Sequence, residues 1–256
     1  SGRRTQRRRR ALCEQLWSGA ARVVVGTHAV FQDDVSYHNL GLVVVEEQHR
    51  FGVAQRLALR DKGQSEGSAP HQIIMSATPI PRSLTMVMYA DMDLSVIDEM
   101  PPGRQPVETV VLPNTRREDV QARIREACAR ERSAYWVCPL IEDSDVLAVQ
   151  AATSRAEALK AELPELRIAL LHGKIPSAQK DQIMDDFRQG RVDVLVATTV
   201  IEVGVDVPEA SLMVIENAER LGLSQLHQLR GRVGRGDQKS VCVLMYQPPL
   251  GHNAKE

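Results

Sequence analysis

Short apolar runs rich in Val, Ile and Leu recur along this 256-residue chain and constrain its fold more than any other feature. Runs that are apolar at every position are typical of strands buried on both faces, as in parallel sheets covered by helices. Helical segments alternate with them, and the pattern therefore predicts an α/β fold. The predicted strands are 23–25, 42–45, 73–75, 135–137, 168–171, 194–196 and 212–215, and the clearest predicted helices are 117–132, 151–163 and 177–189.

The stretch Pro101-Pro102-Gly103 is the best candidate for a domain boundary, because it is stiff and carries neither a helix nor a strand pattern. It predicts two lobes, residues 1–104 and 105–256. Pro164 and Gly190 stand where two of the predicted helices should stop.

The net charge, the cysteines and the length of the apolar runs each limit the class of protein that this chain can be. The net charge is −1, so any contact with nucleic acid must come from locally placed Arg and Lys. The arginines of residues 3–10 are one candidate, although a solvated tip before a helix at 11–17 is the preferred interpretation. The four cysteines lie far apart, which favours buried free thiols over a zinc site or disulfides and fits a reducing cytoplasm. No apolar run is long enough to predict a membrane span.

The predicted strand 42–45 ends in two carboxylates, Glu46 and Glu47. A buried strand followed by an acidic pair has the form of a Walker B box. The first acid of such a box holds Mg²⁺, usually through water, and the second orients or deprotonates the attacking water. The alternative is an ordinary solvated strand end.

Small hydroxylated residues follow two other predicted strands of the first lobe. Ser76 and Thr78 come after 73–75, where they either link a nucleotide site to a neighbouring lobe or form a plain turn before a helix. Thr27 follows 23–25, and its hydroxyl could bind a strand phosphate. Taken alone, a structural role for Thr27 is favoured.

In the second lobe, Thr199, Gly204 and Asp206 follow the predicted strand 194–196 and predict a surface for phosphate and ribose. His172 and Lys174 follow 168–171, and the histidine by itself more often has a structural role. Several such segments thus follow one another along the chain, each at the carboxyl end of a predicted strand. Open α/β sheets bind their ligands at these strand ends.

The stretch from residue 225 to 236 has the spacing Q-x-x-G-R-x-G-R on Gln228, Gly231, Arg232, Gly234 and Arg235. A guanidinium fork matches phosphate oxygens and keeps its charge, so this spacing indicates arginine fingers that clamp a transferring phosphoryl group. Such fingers act on a nucleotide held by a facing lobe.

Together these segments resemble the superfamily 2 helicases, and most closely the RecG family of bacterial branched-DNA helicases; the motor of transcription-repair coupling factors is similar. The match runs over nearly all of residues 20–248. The segments that carry it are Gly26 to Phe31, Glu47 to Val53, Ser76 to Arg82, Asp98 to Arg104, Tyr135 to Cys138, Ala197 to Pro208 and Gln225 to Gly236.

The resemblance implies two RecA-like lobes with parallel sheets covered by helices, together with ATP, Mg²⁺ and branched or forked DNA as ligands. Glu47 matches the catalytic glutamate of the family and Glu46 its Mg²⁺-binding aspartate. Gly204 and Asp206 match nucleotide-facing positions. Positions that reach the γ-phosphate correspond to Gln228, Arg232 and Arg235, and DNA-facing or coupling positions correspond to Thr27, Ser76, Thr78, Arg82, Lys174 and Thr199.

Two departures from the family pattern stand out. Glu46 replaces the usual Asp, and its extra methylene is expected to weaken metal binding or turnover because Mg²⁺ demands near-octahedral geometry. No G-x-x-x-x-G-K-[ST] occurs; the nearest Gly-Lys, Gly173-Lys174, is followed by Ile175. We therefore expect a motor fragment with an incomplete first lobe that is inactive alone, in which residues 105–248 fold better than 1–100.

As a family member, the chain is expected to act as a monomer in the bacterial cytoplasm at the nucleoid. The alternatives are a non-catalytic DNA-binding module or a remnant of a truncated gene. A salt-dependent affinity for branched DNA without ATP stimulation would favour the DNA-binding module.

Overall fold

The computed structural model describes residues 2–32, 34–46, 70–76, 93–139, 145–198, 207, 210–234, 236 and 238–250. The chain divides into two compact units, residues 1–90 and 91–256. The lobe boundary predicted after residue 104 stays a prediction, and residues 91–104 group with the second unit.

The first unit contains a helix, a short 3-10 helix and two parallel strands. The elements are α1 Gly2–Trp17, the 3-10 helix His28–Phe31, β1 Leu42–Glu46 and β2 His71–Met75. Val43 and Val45 of β1 are buried, whereas Leu42 and Val44 on its other face are exposed. The prediction that both faces are buried is therefore wrong for β1, because burial needs a layer on each face and only one face is covered by described residues.

Two other predictions for the first unit are wrong. Residues 23–25 form no strand, and Val23 and Val25 are 83% and 93% exposed. A strand needs a neighbour for its N–H and C=O groups, and neither described strand of this unit pairs with this run. Helix α1 begins nine residues earlier than predicted, so the exposed arginines 7–10 lie within the helix, where Arg9 pairs with Asp34.

The second unit is built on a six-stranded, all-parallel sheet with strand order β3-β8-β7-β4-β6-β5. Its strands are β3 Val107–Pro113, β4 Ser133–Cys138, β5 Ile168–Leu171, β6 Val194–Thr198, β7 Ala210–Ile215 and β8 Ser240–Tyr246. Its helices are α2 Arg117–Cys128, α3 Asp145–Glu162, α4 Ser177–Arg188 and α5 Leu223–Arg230, with 3-10 turns at Asn114–Arg116 and Ala218–Arg220.

The core of the second unit lies on both faces of this sheet. Strands β4, β6 and β7 are buried at every position, which confirms the prediction for the central strands. Side chains alternate along a strand, so Tyr135 packs into one layer with Phe187 of α4. Trp136 packs into the opposite layer with Ile124 of α2 and Leu159 of α3. The predicted α/β class, a parallel sheet covered by helices, is confirmed.

Strands β3 and β8 are absent from the sequence-based prediction. β3 forms one edge of the sheet and is only partly buried, and Glu108 and Thr109 interrupt its apolar run. Helix boundaries also differ, since α2 ends at Cys128 and α3 begins at Asp145. Gly190 does end α4, with a φ of +67° that a residue with a side chain rarely adopts. Within the described residues, none of the helices is both apolar and long enough to cross a membrane.

Candidate nucleotide and DNA site

Glu46 and Ser76 lie at the same edge of the first unit's sheet. β1 and β2 run parallel and in register, with Glu46 opposite Met75, and Ser76 is the next residue. The Glu46 side chain is exposed at the carboxyl end of its strand. The structure thus places the predicted metal-binding carboxylate where α/β sheets bind ligands, next to a hydroxyl of the predicted coupling motif.

This edge fits Mg²⁺ bound through water. Within the described residues, no cluster of three or more His, Cys, Asp or Glu could form a protein cage for a metal ion. Mg²⁺ is commonly held by one or two carboxylates together with substrate phosphates and water. A single exposed carboxylate, Glu46, therefore suits a magnesium ion that arrives with a nucleotide.

Thr27 lies in an exposed turn before the 3-10 helix His28–Phe31. Its carbonyl accepts a hydrogen bond from the amide of Val30 at 3.1 Å, and its side chain does not cap that helix. The neighbouring Gly26 has no room for a side chain, since a Cβ there would lie 2.5 Å from Cγ1 of Val30. The Thr27 hydroxyl is thus accessible on a closely packed turn.

Seven predicted site residues lie outside the described residues, so the predictions for them remain untested. These are Glu47, Thr78, Arg82, Thr199, Gly204, Asp206 and Arg235. Thr198, the residue before Thr199, ends β6 and is buried.

A basic turn follows β5 in the second unit. Lys174 is exposed, and Lys180 of α4 reaches back to donate a hydrogen bond to the carbonyl of Gly173 at 2.8 Å. Burial lowers the pKa of His172, and the charges of Lys180 and Lys174 lower it further. His172 is therefore held neutral at pH 7, and the positive charge of the turn resides on its two lysines.

Helix α5 carries the predicted arginine-finger motif into a tight loop. The amide of Gly222 donates to Oε1 of Gln225 at 3.1 Å and closes the first turn of the helix. Gln228 lies in the last turn, half-buried, and Gly231 begins the loop. Arg232 is half-buried, and its guanidinium has no hydrogen bond or ion pair with any residue that the structure describes. None of the described residues neutralises its charge.

Arg230, the last residue of α5, lies next to this motif and binds a backbone carbonyl. Arg230 Nη2 donates to the carbonyl of Val107 at 2.9 Å. Arg104 Nε donates to the carbonyl of Gly234 at 3.1 Å. These two hydrogen bonds join the loop after α5 to the segment that enters β3.

A buried ion-pair cluster lies at the end of β7. Glu216 Oε1 is 3.0 Å from Nη2 of Arg117 and 2.8 Å from Nε of Arg155. The guanidinium of Arg155 lies 6.0 Å from the centre of the Trp136 ring, within cation–π range. Burial raises the pKa of Cys138 well above its ordinary value, and the nearby Glu216 carboxylate raises it further.

Neither the Glu216 cluster nor the contacts of Arg104 and Arg230 are among the features predicted from the sequence. The sequence does contain a signal for a site at Glu216, because this acid directly follows a predicted buried strand, as Glu46 does. Nothing local distinguishes Arg104 from any other arginine, since its partner Gly234 is 130 positions away.

Comparison with known proteins agrees with this fold. Residues 119–237 match the helicase conserved C-terminal domain, so the second unit is a helicase C-terminal lobe. A yeast Dbp5 structure bound to RNA and ADP BeF3 shares the fold at a TM-score of 0.58 and 17% identity, over 84% of this chain and 55% of that one.

The similarity to RecG proteins is much higher. The chain is 62% identical over 239 residues to an ATP-dependent DNA helicase RecG from Pasteurella multocida, covering 93% of this chain and 34% of that protein. It is 58% identical over its whole length to RecG from Escherichia coli O127:H6, covering 37% of that protein. A structure of RecG bound to a three-way DNA junction matches with a TM-score of 0.71 and 44% identity, over 96% of this chain and 31% of that one.

The chain is therefore similar to RecG helicases along its whole length. It spans about a third of the length of the curated relatives that it matches.

Proposed function

We propose that the chain is part of the motor of a RecG-type ATP-dependent DNA helicase. In this role the complete protein remodels branched DNA, such as stalled forks and recombination junctions, during repair and recombination. The observation that carries the proposal is the 58% identity to RecG over all 256 residues, a match that spans the positions of all predicted site residues. Support also comes from the relative whose structure holds a three-way DNA junction.

For the nucleotide, we propose that ATP and Mg²⁺ bind with Glu46 facing the metal through water and Glu47 orienting the attacking water. Gly204 and Asp206 face the nucleotide, and Gln228, Arg232 and Arg235 face its γ-phosphate. Support comes from the position of Arg232 in the loop directly after α5, where its side chain is only half-buried. An arginine that stabilises the charge on a transferring phosphoryl group contributes about 10³–10⁵ in turnover.

For the nucleic acid, we propose contacts from Thr27, Arg82, Lys174 and Thr199 to the DNA backbone, with Ser76 and Thr78 coupling hydrolysis to movement along DNA. The exposed position of Lys174 in a turn with Lys180 supports a phosphate contact. Such contacts release counterions, so binding should weaken steeply with salt.

The complete protein is expected to act as a monomer in the bacterial cytoplasm, at the nucleoid.

A second function, non-catalytic DNA binding, is favoured for the 256-residue chain when it is isolated. Its sequence has no G-x-x-x-x-G-K-[ST] to hold the β- and γ-phosphates. We therefore expect the isolated chain to bind forked DNA without hydrolysing ATP.

A chimera tests both proposals. The chain replaces the 37% of Escherichia coli RecG that it matches, and ATP hydrolysis is measured with and without forked DNA for the chimera and for the isolated chain. We expect DNA-stimulated hydrolysis by the chimera alone, and its loss on Glu47→Gln or Arg232→Ala. Arg123→Met is the matched control, because Arg123 is an exposed arginine on α2 with only a surface ion pair.

Two outcomes would contradict these proposals. A chimera that folds but shows no DNA-stimulated hydrolysis would refute the helicase function. Hydrolysis by the isolated chain that Glu47→Gln abolishes would show that the chain holds a phosphate site of its own.

A further inference from the structure

The loop after α5 is held by the segment that enters β3. The Arg104 guanidinium donates to the carbonyl of Gly234, and the Arg230 guanidinium donates to the carbonyl of Val107. The two bonds run in opposite directions between the same two stretches of backbone. The segment 104–107 is therefore joined at one point to the last residue of α5 and at another to the loop 231–234.

Steric fit adds a third contact between the same stretches. Gly234 is buried and has a φ of +73°, and a Cβ on it would lie 2.6 Å from Cγ2 of Val107. No side chain fits there unless Val107 moves. Gly234 therefore meets two requirements, the left-handed backbone and close packing against the first residue of β3.

The described arginines near this loop differ in what they bind. Arg104 and Arg230 each donate to a neutral backbone carbonyl, and Nε of Arg230 is buried with no hydrogen-bond partner among the residues described. Arg232 lies between the two tethered points of the loop and has no side-chain partner in the described part of the chain. The first two hold the backbone, whereas none of the described residues holds the third.

We propose that Arg104 and Arg230 are positioning residues that lock the arginine-finger loop 231–234 onto the segment 104–107. The inference rests on the proposed ATP-dependent function. Because residues 104–107 directly follow the stretch 101–103, the position of the finger loop is tied to the segment that leads into the helicase C-terminal lobe.

The consequence for catalysis follows from geometry. A displacement of about 1 Å in a group that contacts the transition state can lower turnover roughly 100-fold. Loss of the Arg104 tether frees the backbone two residues after Arg232 and one residue before Arg235. Binding of ATP in the ground state depends less on that precision, so turnover should fall while the KM for ATP changes little.

The first test measures ATP hydrolysis by the chimera carrying Arg104→Met. We expect kcat to fall 10- to 100-fold with the KM for ATP within threefold, and partial recovery with Arg104→Lys, which keeps a donor. The control Arg123→Met should retain the parental kcat and KM. A kcat for Arg104→Met within twofold of the parent would overturn the proposal.

A steric rescue provides an independent check. Gly234→Ala should lower kcat at least 10-fold, and adding Val107→Ala should restore part of that loss by removing the methyl group in the way. Part of the loss will remain because alanine is strained at a positive φ. Absence of any recovery would show that contact with Val107 does not set the position of the loop.

A third measurement separates failure of the inference from failure of the proposed function. Hydrogen exchange of the amides in 231–234 is compared in the isolated chain with and without Arg104→Met. We expect exchange to accelerate there at least 10-fold and to stay unchanged in α2. If the chimera hydrolyses no ATP but exchange accelerates, the helicase function fails and the tether stands. If exchange does not change, the tether is wrong.

Discussion

Removal of the Glu216 carboxylate should strongly destabilise the second unit. The Glu216 side chain is 10% exposed and pairs with Arg117 and Arg155, which are 29% and 20% exposed. In Glu216→Ala, two largely buried guanidinium groups lose their counter-charge. Breaking a buried ion pair costs about 3–5 kcal/mol, and we expect about 3 kcal/mol because water can reach part of each arginine.

Thermal and urea unfolding followed by circular dichroism measure this change. For a unit of this size, 1 kcal/mol corresponds to about 2–4 °C in Tm, so Tm should fall by about 6–12 °C. The matched control is Glu165→Ala, which removes the exposed Glu165–Arg125 pair, itself 2.7 Å long. Water screens an exposed pair, which therefore contributes little to stability, so the control should shift Tm by at most a few degrees.

Replacement of all three charged residues of the cluster tests whether unpaired charge causes the loss of stability. If the cost comes from unpaired charge, changing Glu216 to Leu together with Arg117→Met and Arg155→Met should recover most of the lost stability, because apolar groups of similar volume can replace a buried ionic cluster at little cost. A Glu216→Ala variant as stable as the Glu165→Ala control would refute the reasoning.

Three further predictions concern the folding of the two units, alkaline pH and the metal site. Amides in 105–248 should exchange more slowly than those in 1–100, because only one face of the β1–β2 sheet is covered by described residues; equal protection in both halves would contradict this. Burial raises the pKa of Cys242 from 9.0 to about 12, so its thiol contributes stability that is complete below about pH 9 and is lost as pH rises towards 12. Cys242→Ala should therefore flatten the fall of the free energy of unfolding, measured with urea between pH 9 and 11, by up to about 1.4 kcal/mol per pH unit, and an unchanged slope would exclude this cause. Glu46→Asp in the chimera should raise kcat or lower the Mg²⁺ concentration for half-maximal activity, because the shorter carboxylate suits a water-bridged octahedral ion; a fall in activity would show that the loop has adapted to glutamate.

Much of the second unit could be predicted from local pattern. Strand β5 was predicted with its observed bounds, and helix α4 to within one residue. Both succeed because a continuous apolar run and a helix stop at Gly190 are properties of a few neighbouring residues. The finger motif on Gln228 and Arg232 is likewise a spacing within one short stretch, and its role stays a prediction.

The failures occurred where structure depends on distant partners. The run 23–25 has high β-propensity, but its residues are exposed and pair with neither described strand of their unit. Conversely, β3 has a weak strand signal and becomes a strand because it pairs with β8 along its full length, from Val107 to Pro113. Strand formation requires a neighbour, and residue composition alone does not specify one.

The sequence alone determined the α/β class, the central strands and the identity of the motif residues, because apolar runs and motif spacings are local and survive without knowledge of the fold. Only the tertiary structure decided which arginines are tethered to distant residues. Arg104 meets Gly234 across 130 positions, and Arg117 meets Glu216 across 99. Such pairs follow from the order of strands in the sheet, which brings β3 beside β8 and β7 between β8 and β4. That order is a non-local property of the folded chain.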